Sequence, residues 1–273
     1  VPELPEVETV RRSVSVALLG CRVEDVETGS LKLRLPLDAE QWRQVIGQRL
    51  ESLDRRGKYL LARFGDVGAV VHLGMTGRLQ VAYSDGFRPP HTHLVLRFEG
   101  DRELRFVDPR RFGFAVAMPA TELDGYAPLP QLGPEPLEGD VLAALVAAAR
   151  RLRAPVRNVL LDQRVLAGVG NIYACEALHR AGIRPARPVS RISPARLARL
   201  ADSIGAVLRE AVAAGGTTLA DGGFTASDGQ AGYFAVQLAV YGREGLACGK
   251  CGTAIRRRVL GGRSAFFCPS CQR

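Results

Sequence analysis

The chain has no apolar run of membrane-spanning length, and its first residues, Val1-Pro2-Glu3-Leu4-Pro5-Glu6, do not read as a signal peptide. These two absences predict a cytoplasmic protein with no membrane partner. There is no internal repeat, which argues against solenoids and propellers. Acidic residues nearly vanish toward the C-terminus. From Arg243 to Arg273 the only acid is Glu244, against Arg243, Lys250, Arg256, Arg257, Arg258, Arg263 and Arg273. Disorder is excluded by the 47% hydrophobic content, which is enough for a packed core.

The length of 273 residues suits one large domain or two ordinary ones. A net charge of +9 favours a polyanionic partner, with nucleic acid ahead of a membrane surface, and the C-terminal clustering of that charge strengthens the inference.

The texture changes along the chain. Val7, Val10, Val14 and Leu18 recur at helical spacing, so Pro5–Leu19 is predicted helical, with Gly20 free to end it. From Val23 to Val116 short apolar runs alternate with Gly, Asp and Pro turns, the pattern of a β-sandwich or barrel. The proline-rich stretch from Pro119 to Asp140 reads as an interdomain linker. Helices are then predicted over Val141–Arg151, Asn158–Leu166 and Ser193–Ala214, with another N-capped by Asn171. Gly215 to Gly232 is rich in Gly, Thr, Ser and Asp and predicts a mobile loop.

Cysteine is informative by its spacing. Cys248-x-x-Cys251 and Cys268-x-x-Cys271 each offer two thiolates from one tight turn, and two such turns complete a tetrahedron around Zn2+. Four thiolates close the coordination shell, so one structural zinc is expected, holding a short β-hairpin with Arg258–Arg263 at its tip. Arg263, after Gly261-Gly262, is either a phosphate contact or a solvated basic turn, and the surrounding charge favours the former. Cys21 and Cys175 stand alone as small buried hydrophobes.

Pro2 is the most chemically suggestive residue. An α-amino group has a pKa of about 7.7–8.0 and is partly neutral near pH 7. A secondary amine that attacks an aldehyde forms an iminium, which cannot neutralise itself by losing a nitrogen proton and so promotes elimination next door. Glu3 and Glu6 could shuttle protons. The plain alternative is a helix start, with proline in the first turn and acids complementing the dipole.

The whole chain resembles the formamidopyrimidine-DNA glycosylase family. The resemblance rests on Pro2-Glu3-Leu4-Pro5-Glu6-Val7-Glu8, Arg56-Gly57-Lys58-Tyr59-Leu60, His72-Leu73-Gly74-Met75-Thr76-Gly77 and Asp108-Pro109-Arg110-Arg111-Phe112-Gly113. It continues through Gly168-Val169-Gly170-Asn171-Ile172-Tyr173-Ala174, Gly216-Thr217-Thr218-Leu219, Val240-Tyr241-Gly242-Arg243 and the cysteine pairs. Leu4 and Val7-Glu8 resemble the oxidised-purine branch more than the endonuclease VIII branch. The resemblance implies an α+β fold in three parts. These are an N-terminal β-sandwich with a flanking helix (1–133), a helix–two-turn–helix domain (134–235) and a C-terminal zinc-finger β-hairpin (236–273), with DNA in the cleft between the lobes.

It also implies roles. Pro2 would attack the sugar's anomeric carbon and displace the damaged base, and β,δ-elimination would then cut the strand. Glu3 would be the general acid/base, Lys58 a phosphate contact and proton donor for β-elimination, and Arg263 the finger arginine tied to δ-elimination. His91, Arg110, Arg153 and Asn171 would contact DNA, the last from a helix N-terminus facing a phosphate. Met75, Arg110 and Phe112 would fill the void left by an extruded nucleotide, although core packing is what a methionine and a phenylalanine usually do. The segment Gly222–Gly232 corresponds to a lesion-capping loop. The implied partner is double-stranded DNA containing oxidised purines (8-oxoguanine, formamidopyrimidines), acted on by a monomer.

Two departures matter. Arg153 and Arg157 stand where lysines are familiar, and the geometry of a guanidinium fork differs from that of a point charge. The Val1-Pro2 amide nitrogen is not nucleophilic, so the chemistry requires Pro2 at the terminus. A start codon translated literally as valine reconciles the two. Three readings compete with the main one: a DNA-damage binder without catalysis if Val1 persists, a pyrimidine-directed enzyme, and a zinc-ribbon protein that binds nucleic acid structurally.

Overall fold

The first helix is set by its own first turn. Helix α1 (Leu4–Leu18) has Glu3 at the N-cap, and the Glu6 carboxylate accepts the Glu3 backbone N–H at 2.8 Å in a capping box. Pro5 costs nothing there, since its missing N–H would have no helical partner. The computed structural model describes residues 2–31, 33–216 and 238–273. They form two compact units. One is built on the chain up to Pro130 and the residues just after Ala213, and the other on Gln131–Ala213 with the C-terminal residues.

Besides α1 and the short helix α2 (Ala39–Arg43), the first unit holds two four-stranded antiparallel sheets. Strands β1 (Val23–Thr28), β2 (Ser52–Arg56), β3 (Tyr59–Phe64), β4 (Val67–His72), β5 (Arg78–Tyr83), β6 (Thr92–Phe98), β7 (Arg102–Val107) and β8 (Phe114–Pro119) pair in the orders β1-β6-β7-β5 and β2-β3-β4-β8. The expected β texture is therefore two sheets, and one apolar core carries residues of both. Leu60, Phe64 and Ala69 enter it from one sheet, Leu96, Phe98 and Phe106 from the other, and Val7, Val10, Val14 and Leu18 from α1. Strand β3 alternates half-buried and buried residues, as a strand with one wet face should. Strand β4 is buried along nearly its whole length. Its second face is covered by the 3₁₀ turn Ala120–Gly125, whose Leu123 is 1% exposed and lies against Gly68. The start of the expected linker is thus a packed element of this unit, because Leu123 and Leu129 bury apolar surface that a free linker would expose.

The second unit contains α3 (Val141–Arg151), α4 (Val156–Leu161), α5 (Asn171–Ala181), α6 (Pro194–Ala213) and a hairpin of β9 (Arg256–Leu260) and β10 (Arg263–Phe267). Helix α4 starts two residues before the predicted Asn158 and stops five short of Leu166. Side chains beyond its end compete for the backbone: Asp162 accepts from Arg164 N–H, and Gln163 bridges the Leu161 and Val169 carbonyls. The N-cap of α5 is Gly170, not Asn171, whose side chain is engaged elsewhere. Helix α5 ends at Gly182, with φ +69°, the left-handed cap that glycine supplies. Cys175 is buried as expected, whereas Cys21 is only half-buried. Among the described residues no helix is long and apolar enough to cross a membrane.

Candidate active site and nucleic-acid interface

Pro2 and Glu3 are both buried, Glu3 to 3% exposure, and Glu6 is buried to 1%. The chain after α6 returns to this spot. Gly216 has φ +82°, and a Cβ there would fall 3.1 Å from the Glu6 side chain, so any larger residue would strain the backbone and crowd Glu6. Next along α1, Glu8 receives Arg11, Arg12 and Arg55 at 2.8–3.2 Å. Burial alone would raise its pKa, but the hydrogen bonds of Arg11 and Arg12 and the charges of Arg11 and Arg55 prevail and hold it at about 2. This ion cluster ties α1 to β2.

Lys58 is the second residue of a two-residue turn joining β2 to β3. Gly57 precedes it with φ +58°, the conformation such a turn needs at its first central position. Lys58 is half-buried and lies near His72 at the end of β4. Burial, and then the Lys58 charge, press the His72 pKa down to about 4. Its Nδ1 accepts the Gly74 N–H at 3.1 Å, which requires a neutral ring. Tyr59 and Phe114 flank the ring.

Four predicted DNA contacts meet around one carboxylate that the motif reading did not single out. Asp108 is fully buried. Its Oδ1 accepts the Thr76 hydroxyl at 2.5 Å and its Oδ2 the Gly113 N–H at 2.7 Å. Its backbone N–H donates to the His91 carbonyl at 3.1 Å, and its carbonyl lies 3.0 Å from His93 Nε2. Thr76 also accepts the Arg110 N–H. Gly74 packs so closely on Phe112-Gly113 that a Cβ would come within 2.4 Å of the Gly113 nitrogen. Met75, His91, Arg110 and Phe112 are thereby gathered on adjoining loops. Phe112 is 46% exposed, Arg110 is exposed and its guanidinium lies 5.0 Å from the Phe112 ring centroid, and Met75 is half-buried. Core packing is therefore not the role of Phe112.

In the second unit, Arg153 is exposed between α3 and α4. Asn171 begins α5, with its Oδ1 held by Arg157 and its Nδ2 donating to the Ser264 carbonyl at 2.9 Å. Arg263 is exposed immediately after Gly261-Gly262, both at positive φ, in a two-residue hairpin turn. The sulfurs of Cys248, Cys251, Cys268 and Cys271 lie within 4.8 Å of one another, with contacts of 3.5 Å and 4.0 Å. A tetrahedron of zinc–sulfur bonds of about 2.3 Å has sulfurs about 3.8 Å apart, so the four fit one zinc ion. His179 Nε2 lies 3.5 Å from Cys248 Sγ.

The comparisons match this architecture part by part. Residues 1–115 match the formamidopyrimidine-DNA glycosylase N-terminal domain, 132–222 its H2TH domain, and 245–273 the zinc finger found in FPG and IleRS. The chain belongs to the formamidopyrimidine-DNA glycosylase family. It is 49% identical, over the full length of both chains, to the formamidopyrimidine-DNA glycosylase of Rhizorhabdus wittichii, and 46% identical over 99% of both to that of Geotalea uraniireducens. The crystal structure of the MutM (Fpg) protein from Thermus thermophilus superposes with a TM-score of 0.88 at 41% identity, over 99% of this chain and 98% of that one. A Lactococcus lactis FPG mutant complexed with a Fapy-dG containing DNA gives 0.91 at 32% identity over the whole of both. As a family member the chain carries the zinc finger, and its four cysteines form the metal centre.

The sequence motifs contained Asp108 and His72 without marking them, since neither was expected to touch substrate. Shielding of a titratable group from water, in a loop for Asp108 and at the end of β4 for His72, is the signal that finds them, and it exists only in three dimensions. The capping-loop segment Gly222–Gly232 lies outside the described residues.

Proposed function

We propose that the chain is a bifunctional base-excision repair enzyme that removes oxidised purines, 8-oxoguanine and formamidopyrimidines, from double-stranded DNA and cuts the strand by β,δ-elimination. The observation that carries this reading is the N-terminal constellation. Pro2 is followed by a buried, capped pair of carboxylates, Glu3 and Glu6, in a family member similar over its full length to a protein crystallised with a Fapy-dG containing DNA.

In this mechanism the secondary amine of Pro2 attacks the anomeric carbon of the damaged nucleotide and the base leaves. Glu3 supplies the proton that opens the sugar ring, giving the iminium. The iminium withdraws electrons, so a base can take the sugar's C2′ proton and the 3′-phosphate departs. A second elimination releases the 5′-phosphate. Lys58 serves phosphate binding and proton donation in the first elimination, and Arg263 grips a phosphate in the second.

The gathered Met75, Arg110 and Phe112 support void filling. An extruded base leaves an unstacked gap, a thioether and an aromatic ring restore contact there, and a guanidinium can hydrogen-bond the orphaned partner base. His91 and Arg153 are exposed and suited to phosphate. For Asn171 the side chain is occupied inside the protein, so its part in phosphate binding falls to the backbone N–H groups opening α5. The zinc contributes by holding the hairpin rigid, and no step of the chemistry passes through it.

The test is borohydride trapping on a duplex carrying 8-oxoguanine, with the mass of the intact N-terminus measured in the same preparation. A protein beginning at proline should give a covalent complex, and one retaining Val1 should bind without trapping. Failure to trap with a verified terminal proline sinks the amine mechanism. Glu3→Gln should abolish base excision. Pro2→Gly, with a primary amine, should retain partial trapping.

A further inference from the structure

Arg157 is buried to 1% exposure, yet carries a permanent charge. Its Nε and Nη2 both donate to Asn171 Oδ1, at 3.0 and 2.7 Å, and its Nη1 donates to Asn158 Oδ1 at 3.0 Å. Two further bonds cross to the zinc-finger hairpin. Nη1 donates to the Leu260 carbonyl at 2.9 Å and Nη2 to the Ser264 carbonyl at 3.4 Å. Leu260 and Ser264 flank Gly261-Gly262-Arg263, so one guanidinium holds both strands where they meet the turn that presents Arg263. Two more contacts join it. Asn171 Nδ2 shares the Ser264 carbonyl at 2.9 Å, and Gly261 sits so close to Asn158 that a Cβ would lie 3.1 Å from its amide nitrogen.

We infer that Arg157 is a positioning residue that sets the attitude of the hairpin turn, and through it the position of Arg263 at the scissile phosphate. It acts through the hairpin and does not itself touch substrate, since its donors are directed at protein oxygens. The fork is essential to this role. A lysine has one nitrogen on a flexible stem and can serve Asn171 or one strand, whereas the planar guanidinium reaches both strands and Asn171 together. Burial strengthens the grip, because each of these carbonyl and amide oxygens would be costly to strand unpaired. The inference rests on the proposed part of Arg263 in the second elimination.

The full-length zinc-loaded protein with a free terminal proline tests it, using Arg157→Lys, Arg157→Met and Arg263→Ala on a duplex with a single abasic site. Two quantities are read: the ratio of δ- to β-elimination product in single turnover, and amide hydrogen exchange across residues 258–266. Zinc stoichiometry is measured alongside to show that the finger is formed. Arg157→Lys should keep its zinc and its rate of β-elimination, lower the δ share about fivefold, and speed exchange at the turn. A purely structural role would instead lower zinc content and β-elimination together. The double variant Arg157→Lys/Arg263→Ala should show the δ deficit of Arg263→Ala alone. Unchanged exchange in Arg157→Lys overturns the inference, as does an unchanged product ratio when Arg263→Ala shifts it. If Arg263→Ala leaves the ratio unchanged, the reading of Arg263 fails instead, and exchange alone decides whether Arg157 holds the turn. If Arg157→Met loses zinc, Arg157→Lys carries the test.

Discussion

The hydroxyl of Thr76 donates to the buried carboxylate of Asp108 at 2.5 Å, and this bond joins the loop of Met75 to the loop of Arg110 and Phe112. The two loops lie on different strand connections, 32 residues apart in sequence. Asp108 also holds the Gly113 N–H, so its two oxygens clamp both loops.

Thr76→Val keeps the shape and removes the donor. It should cost about 1–3 kcal/mol of stability, because a buried carboxylate loses one partner. It should also weaken binding to a lesion in duplex DNA more than to the same lesion in a single strand, since only a duplex has a void to fill. A denaturant midpoint and paired binding isotherms measure both. Equal losses for the two DNA forms would detach these loops from void filling.

His72 should make the protein acid-sensitive well above the usual carboxylate range. Its folded pKa is about 4, below the 6.5 of the free side chain, so the unfolded chain takes up the proton first. Its contribution is whole above pH 6.5 and is lost progressively as pH falls from 6.5 to about 4, on the order of 3 kcal/mol at most. Asparagine can accept the Gly74 N–H without titrating. The stability of His72→Asn should therefore fall less steeply over that window, as chemical denaturation at stepped pH would reveal; parallel curves would refute the assignment.

Glu8 governs a lower window. Its pKa is depressed from 4.5 to about 2, so its stabilisation is present above 4.5 and lost as pH falls toward 2. Glu8→Gln should unfold at a higher pH in an acid titration followed by circular dichroism. Arg11 and Arg12 are partly solvent-exposed, so screening makes the loss smaller than the shift alone suggests. An unmoved acid midpoint would show that the Arg11–Arg12–Arg55 cluster adds nothing.

Removing the metal should affect the two units differently. Four thiolates around zinc contribute folding free energy directly. Chelation at neutral pH should melt the β9–β10 hairpin and abolish tight DNA binding, while the β-sandwich signal in circular dichroism persists. Substituting Cys251 with serine should act in the same direction. DNA affinity unchanged after verified zinc loss would remove the finger from the interface.

Much of this molecule was legible in the sequence because its signals are local. The cysteine pairs, the glycine-bearing hairpin tip at Gly261-Gly262, the helical spacing of Val7, Val10, Val14 and Leu18, and the shift from β to helical texture each need only a short window of chain. One boundary error is local and the other is not. Helix α4 stops early because Asp162 and Gln163 offer the backbone other partners, and Asn171 reads as a cap until Arg157 and Ser264 are seen to hold its side chain.

The sequence by itself determined the order of the parts, the zinc chemistry, the helix that presents Pro2 and Glu3, and the basic hairpin. Those follow from spacing, propensity and charge. Only the tertiary structure decided that Asp108 clamps the loops of Met75 and Phe112, that β4 is covered by Leu123, and that the buried charge of Arg157 holds both strands of the hairpin. Each of these joins segments far apart in the chain. A hydrogen bond or a buried charge is settled by which groups folding brings together and shields from water, and no window of sequence contains that information.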